Sequence, residues 1–182
     1  MNLFDGELIR LTPFCREDIP VFTRWFQDYE VQRFIDPGVL VPHSEEAETA
    51  WYERAIKDTD NYHFSIRTLA EDRLIGNCGL FGIEQKNRVA TLGILIGEKD
   101  HWGKGYGSDA IRVILRFGFQ ELNLNRIQLD VYDFNPRAIR AYEKVGFVHE
   151  GRRRQALFRE GVYHDILVLG ILRDEWLAAP RR

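Results

Sequence analysis

The chain has 182 residues, 45% hydrophobic and 29% charged, which fits one globular domain and excludes disorder, a collagen-like repeat and a disulfide scaffold. With 25 Lys and Arg against 28 Asp and Glu, the formal charge is −3, so no overall positive field recruits nucleic acid and a small cationic partner is mildly favoured. Cys15 and Cys78 fit no metal-ligand spacing and suit a reducing compartment.

The opening Met1-Asn2-Leu3-Phe4-Asp5 has no basic segment leading into an apolar one, and no run approaches the ~18 apolar residues of a membrane span. The expectation is a single domain over residues 1–182, cytoplasmic, with no metal and no membrane or nucleic-acid partner. In chain order, Glu7 to Thr12 alternates as a first strand, and Ile19, Phe22, Trp25 and Phe26 mark an amphipathic helix between Arg16 and Asp28. Ser44 reads as an N-cap, with Glu45, Glu46 and Glu48 at the positive end of a helix carrying Trp51 and Ala55.

Three apolar runs follow, Tyr62 to Leu69, Leu74 to Ile83 and Val89 to Ile96, and their short polar connectors predict antiparallel hairpins. Gly105 to Leu122 has helical spacing, and Ile127, Leu129 and Val131 alternate as a strand. Asn135-Pro136 then caps a second helix that Gly146 ends, and Phe147 to Phe158 with Tyr163 to Leu172 form a last hairpin around Glu160-Gly161. Strands paired first as hairpins and then joined by helices give a mixed α/β (α+β) sheet.

The segment Trp102-Gly103-Lys104-Gly105-Tyr106-Gly107-Ser108 sits between a strand and a helix start. Its glycines let the backbone approach a ligand and turn N–H groups inward at the positive end of the helix, where phosphate is the natural guest. A plain strand-to-helix connection is the alternative. Gly105 to Ala110 also satisfies G-x-G-x-x-A, with Asp130 25 residues beyond Gly105; that dinucleotide pattern normally opens a parallel sheet, whereas here antiparallel hairpins come first.

Asn135, Ala138 and Tyr142 fall at i, i+3 and i+7, on one face of the second helix. Singly they read as a cap, a packing residue and a core tyrosine. Together they place a small residue that lets a ligand pass beside a phenol that can donate a proton.

With these two motifs the sequence resembles the GNAT superfamily of acyl-CoA-dependent N-acyltransferases, over nearly the whole chain. The superfamily's pyrophosphate loop falls on Trp102 to Gly107, and its following helix motif on Asn135 to Phe147. Glu7 to Leu11, Glu17-Asp18, Tyr163-His164-Asp165 and Leu172 to Trp176 are similar to the ribosomal-protein N-terminal acetyltransferase branch, which also contains spermidine and antibiotic acetyltransferases. Trp102 stands where the superfamily has Gln or Arg, leaving the backbone of Gly103, Lys104, Gly105, Tyr106, Gly107 and Ser108 to hold the anion.

The resemblance implies a mainly antiparallel seven-stranded sheet with about four helices, whose strands Leu92–Gly97 and Arg126–Tyr132 splay to admit acetyl-CoA. The pantetheine arm is then expected along Leu95, Ile96 and Gly97, with one backbone N–H polarising the thioester carbonyl, and with Asn135 and Ala138 beside the arm. Tyr142 is expected as general acid toward the leaving sulfur, in direct transfer to a primary amine such as a protein N-terminus, a polyamine or an antibiotic. An alkyl amine must first lose a proton, and Glu98 is the best-placed candidate base, with Asp100, His101 and Glu84 behind it; the alternatives are an ordered water chain as the base and a solvated loop carboxylate for Glu98. Phe34, Trp51 and Tyr52 read as core packing or, alternatively, as walls of the acceptor pocket. Arg152-Arg153-Arg154 reads as a solvated face, with a contact to the 3′-phosphate of CoA or to an acidic partner as the alternatives. A homodimer is an expectation of the family, although Ile166 to Leu172 reads equally as a buried strand. The alternative from another class is an acyl-CoA-binding module without turnover.

Overall fold

The computed structural model describes residues 2–179. The strands are β1 (Ile9–Thr12), β2 (Tyr62–Thr68), β3 (Leu74–Glu84), β4 (Val89–Ile96), β5 (Arg126–Tyr132), β6 (Val148–Arg159) and β7 (Val162–Leu172). The helices are α1 (Ile19–Gln27), α2 (Tyr29–Gln32), α3 (Glu45–Ala55), α4 (Tyr106–Gln120), α5 (Pro136–Val145) and α6 (Arg173–Ala178). They form one seven-stranded sheet in the order β1-β2-β3-β4-β5-β7-β6. Every neighbouring pair is antiparallel except β4 with β5, which is the mixed, mainly antiparallel sheet the sequence implies.

The parallel pair is where the sheet opens. β4 and β5 pair only at Val89, Ala90 and Thr91 against Arg126, Ile127 and Gln128, while β4 stays bonded to β3 as far as Ile96 and β5 to β7 as far as Tyr132. Each strand therefore keeps its outer partner while the inner edges separate beyond Thr91 and Gln128. Helix α4 covers the closed end, packing Ile111, Ile114 and Leu115 onto Leu80, Ala90 and Ile127 in the main core. A second cluster, Phe22, Trp25, Val31, Leu74 and Leu95, joins the region of α1 and α2 to β3 and β4.

Six helices stand where about four are expected; α2 has four residues and α6 six, too few turns to establish a 3.6-residue period. The first helix also splits, with a 3₁₀ turn at Arg16–Asp18 and α1 starting at Ile19 beside Pro20, since proline fits a first helical turn but not an interior one. The first strand begins at Ile9 and not at Glu7. The amides of Glu7, Leu8 and Ile9 all donate to the buried carboxylate of Asp109, at 3.2, 2.8 and 3.1 Å, which fastens the start of the sheet to the first turn of α4.

Candidate active site

The gap between β4 and β5 opens into a cavity of about 1010 Å³, at the upper limit of the ~300–1,000 Å³ typical of a small-molecule site. Ile94, Ile96, Gly103, Gly105, Gly107 and Ser108 line it on one side, facing Asn135, Ala138 and Tyr142 from α5. The two sequence motifs, about 30 residues apart, thus meet across the split sheet.

Gly105 is the N-cap of α4 at φ 93°, and no side chain caps the helix. An L-residue there costs ~1–2 kcal/mol in backbone strain, while the uncapped N–H groups and the helix dipole make an anion seat. Lys104 is exposed and Tyr106 packs its ring on His101 at 4.8 Å; neither lines the cavity, so the turn offers backbone and Ser108 to a guest. Trp102 donates its indole N–H to the Ile96 carbonyl, 2.6 Å away, which locks the ring against the open edge of β4. The guanidinium of Arg137, second residue of α5, lies 3.5 Å over that ring, so a cation reaches the turn from α5 where Trp102 supplies none.

Strand alternation decides which backbone groups face the gap. Gly97 donates its N–H to Ile75 of β3 at 2.9 Å, so in the antiparallel β3–β4 register Leu95 and Gly93 turn the same way. Ile94 and Ile96 are left with their polar groups toward the opening, as the Trp102 bond to the Ile96 carbonyl requires. Of the positions named from the sequence, Ile96 presents its amide to the gap, whereas Leu95 presents its side chain to the cavity. Gly97 contacts neither gap nor cavity; a Cβ there would stand 2.0 Å from Trp25 Cδ2, so its missing side chain serves the packing of Trp25.

On α5, Asn135 is 8% exposed and its Oδ1 accepts the Ala138 N–H at 3.2 Å, combining a cap with a cavity wall. Tyr142 is buried, its ring edge-on to Phe147 at 5.7 Å, and its hydroxyl makes no hydrogen bond among the described residues. Burial pushes its phenol well above the ordinary value, which keeps it protonated as a donor must be. Tyr132, another cavity residue, is pushed up to about 12 by the same cause.

Glu98 needs a correction. It is not among the cavity residues, and its carboxylate accepts the Trp25 indole N–H at 2.8 Å and pairs with Arg24 and Arg73. Burial alone would raise its pKa, but the Trp25 bond and the two guanidinium groups outweigh that and hold it below the ordinary carboxylate value. A carboxylate so occupied is a poor proton acceptor; it anchors α1 to the end of β4. Asp100 is held by Arg73 and His101, at 2.9 and 2.7 Å, and Glu84 accepts from Asn87. Cys78 is buried with its thiol pushed well up by desolvation, which leaves it no nucleophilic character.

The far half of the cavity is built by the α1–α3 region. Phe34 and Trp51 line it, joined by Phe22, Phe26 and Phe81, whereas Tyr52 lies outside under Arg16. The sequence reading missed Glu48, which is 4% exposed and bonded to His43, and Asn77, whose buried Oδ1 has no hydrogen-bond partner. A sheet-facing asparagine and a helix-start glutamate carry no local signal that would distinguish them. The loop 33–44 roofs this half, pinned by Arg159 to the Asp36 carbonyl at 2.7 Å and by Gln32 to that of Val41 at 2.8 Å. The Arg152–Arg154 run lies on exposed β6, with Arg152 on Asp165 and Arg153 on Asp130.

Residues 9–148 match the acetyltransferase (GNAT) domain family. The chain belongs to that family. It is 31% identical over 177 residues to the SPbeta prophage-derived uncharacterized N-acetyltransferase YokL of Bacillus subtilis, covering 97% of this chain and 96% of that protein. The putative ribosomal N-acetyltransferase YdaF of Bacillus subtilis is 33% identical over 108 residues, 59% of this chain and 58% of that one. The spermidine N-acetyltransferase from Vibrio cholerae, solved in complex with CoA and spermine, superposes with a TM-score of 0.84 at 28% identity, over 93% of this chain and 98% of that one. The protein is thus a GNAT N-acetyltransferase whose acyl donor is acetyl-CoA. No group of three or more His, Cys, Asp or Glu among the described residues could hold a metal ion, and no helix there is long and apolar enough to cross a membrane.

Proposed function

We propose that this acetyltransferase moves the acetyl group directly from acetyl-CoA to the primary amine of a small cationic acceptor, of which a polyamine is one example. The observation that carries the reading is the split between β4 and β5, which opens the Ile94 and Ile96 backbone and the Tyr142 hydroxyl onto one cavity. In this reading the pyrophosphate sits on the turn 103–108 and the arm extends along β4 as an extra strand. An N–H of Ile94 or Ile96 then stabilises the oxyanion, a contribution of about 3 kcal/mol in other acyl transfers.

Tyr142 protonates the sulfur. Its raised phenol is a weaker acid than a thiol, so it gives up its proton only as it takes one from the attacking nitrogen, and it acts as a relay. A small acceptor rather than a protein surface is favoured by the roofed, aromatic far half of the cavity, and a cation by the formal charge of −3; the cavity walls themselves carry both signs, Asp36, Glu48 and Asp130 beside Arg54, Arg137, Arg140 and Lys144. The resemblance of the chain ends to the ribosomal-protein branch keeps a protein N-terminus as the competing acceptor. The test is thiol release from acetyl-CoA against a panel of polyamines, aminoglycosides, other small amines and an N-terminal peptide. Turnover confined to the small amines supports this reading, turnover confined to the peptide replaces its acceptor, and acetyl-CoA binding without any turnover overturns it in favour of a binding module.

A further inference from the structure

With Glu98 occupied elsewhere, direct transfer still needs a group to take the proton from the acceptor. An alkyl amine of pKa about 10.4 is neutral in only about one molecule in 2,500 at pH 7. Two cavity residues that the sequence reading left unassigned have the right arrangement. His43 ends the loop 33–44 and Glu48 lies in the first turns of α3, on either side of the cap Ser44, whose Oγ accepts the Ala47 N–H at 3.2 Å. That cap turns Glu48 inward. The His43 Nδ1–H donates to Glu48 Oε1 at 2.5 Å, and the imidazole lies flat on Phe26, 4.9 Å between centroids and 9° between planes.

Glu48 is 4% exposed, and among the described residues His43 is the one cationic side chain paired with it. A carboxylate on Nδ1 fixes the tautomer that leaves Nε2 as a lone-pair acceptor, and Nε2 of His43 has no partner among the described residues. We propose, resting on the reading above, that His43, oriented by Glu48, is the base that deprotonates the acceptor amine. The Asn77 Oδ1, buried without a partner and lining the same cavity, accepts a second N–H of that amine in this proposal.

The step balances as follows. The ammonium proton passes to His43 Nε2, and the imidazolium charge is met by Glu48. The nitrogen lone pair forms the new C–N bond to the acetyl carbon; the C–S bond breaks with its electron pair on sulfur. Sulfur takes a proton from Tyr142, which recovers one from nitrogen, and His43 releases its proton to solvent.

The other charged groups lining the cavity are Asp36 on the same loop, Arg54 on α3, Asp130 on β5, Arg137, Arg140 and Lys144 on α5, and His101. Asp36 accepts the Gly38 N–H, Asp130 is paired with Arg153, and His101 is held by Asp100. From α1 the pair meets uncharged Phe26 and Gln27, whose amide donates to the His43 carbonyl at 3.1 Å.

The experiment compares wild type, His43→Gln and Glu48→Gln with an alkyl amine and with an amine already neutral at pH 7, across pH 6 to 10, with acetyl-CoA affinity and melting temperature as controls. The expectation for His43→Gln is a loss of about 10²–10³-fold in kcat at pH 7 for the alkyl amine, less than about fivefold for the neutral amine, and a rate that climbs tenfold per pH unit. Glu48→Gln shows the same pattern more weakly, with acetyl-CoA affinity unchanged in both. Equal losses with both amines, or an unaltered pH profile in the folded variants, overturn the assignment and leave the pair as a cap for α3. If His43→Gln does not fold, Glu48→Gln decides alone by the same pH criterion. A wild type that acetylates no amine overturns the transfer reading and this proposal together, whereas an active wild type matched by its variants overturns only this proposal.

Discussion

The two halves of the cavity are built on different principles. The donor half is made largely of backbone, namely the turn 103–108 and the inner edge of β4, faced by one stripe of side chains on α5, and each of these is local in sequence. The acceptor half is made of side chains, Phe26, Phe34, His43, Glu48, Asn77 and Phe81, from α1, a loop, α3 and β3. Backbone recognition leaves a spacing that can be read and requires glycine and a capped helix; side-chain recognition can be rebuilt residue by residue without disturbing the sheet.

Four changes test that division, in order of expected size. Tyr142→Phe removes the one acid on the donor side and is expected to lower kcat by about 10²–10³-fold with acetyl-CoA affinity, measured calorimetrically, within twofold of wild type. Full turnover by this variant would remove chemistry from α5. Asp109→Asn weakens three bonds to Glu7, Leu8 and Ile9 at once and is expected to cost about 3 kcal/mol in urea unfolding, although the residue touches no predicted substrate.

Gly105→Val forces a β-branched residue into φ 93° at the cap of α4 and is expected to relieve about 1–2 kcal/mol of strain by shifting the turn's N–H groups, which weakens acetyl-CoA about 5–30-fold while leaving the acceptor half untouched. Unchanged donor affinity would show that the turn is only a connection. Glu98→Gln gives the smallest effect, a loss of about 1–2 kcal/mol in stability with kcat within threefold; a large kcat loss at unchanged stability would restore Glu98 as the base. Because its partners depress the folded carboxyl, its stabilisation is present above the unfolded carboxylate value of about 4.3 and disappears as pH falls through the lower folded value. The melting-temperature gap between wild type and Glu98→Gln should therefore be full at pH 7 and close below about pH 4.

How much could be read in advance differs along the same line. β2, β3 and β4 followed from apolar runs with short polar breaks, and α4 and α5 from their caps and periods, so both motifs were legible, whereas the split between β4 and β5 was implied only by the resemblance to the GNAT superfamily. Helix α2 was too short to give a period. Glu48 shares a helix start with Glu45 and Glu46, and all three read alike as charges at a helix dipole; only Glu48 is buried. Glu98 was misjudged because its position after β4 suggested the gap, while Trp25, Arg24 and Arg73, from α1 and the start of β3, arrive only through packing.

By itself the sequence determined the strands, the glycine turn and the α5 stripe, because these depend on interactions within a few residues: a cap, a left-handed glycine, an i, i+3, i+7 face. The tertiary structure alone decided which carboxylates are spent, which backbone groups face the opening and that His43, Glu48 and Asn77 line one cavity. The physical reason is that burial and ion pairing are properties of what packs against a residue, and here those partners come from separate elements.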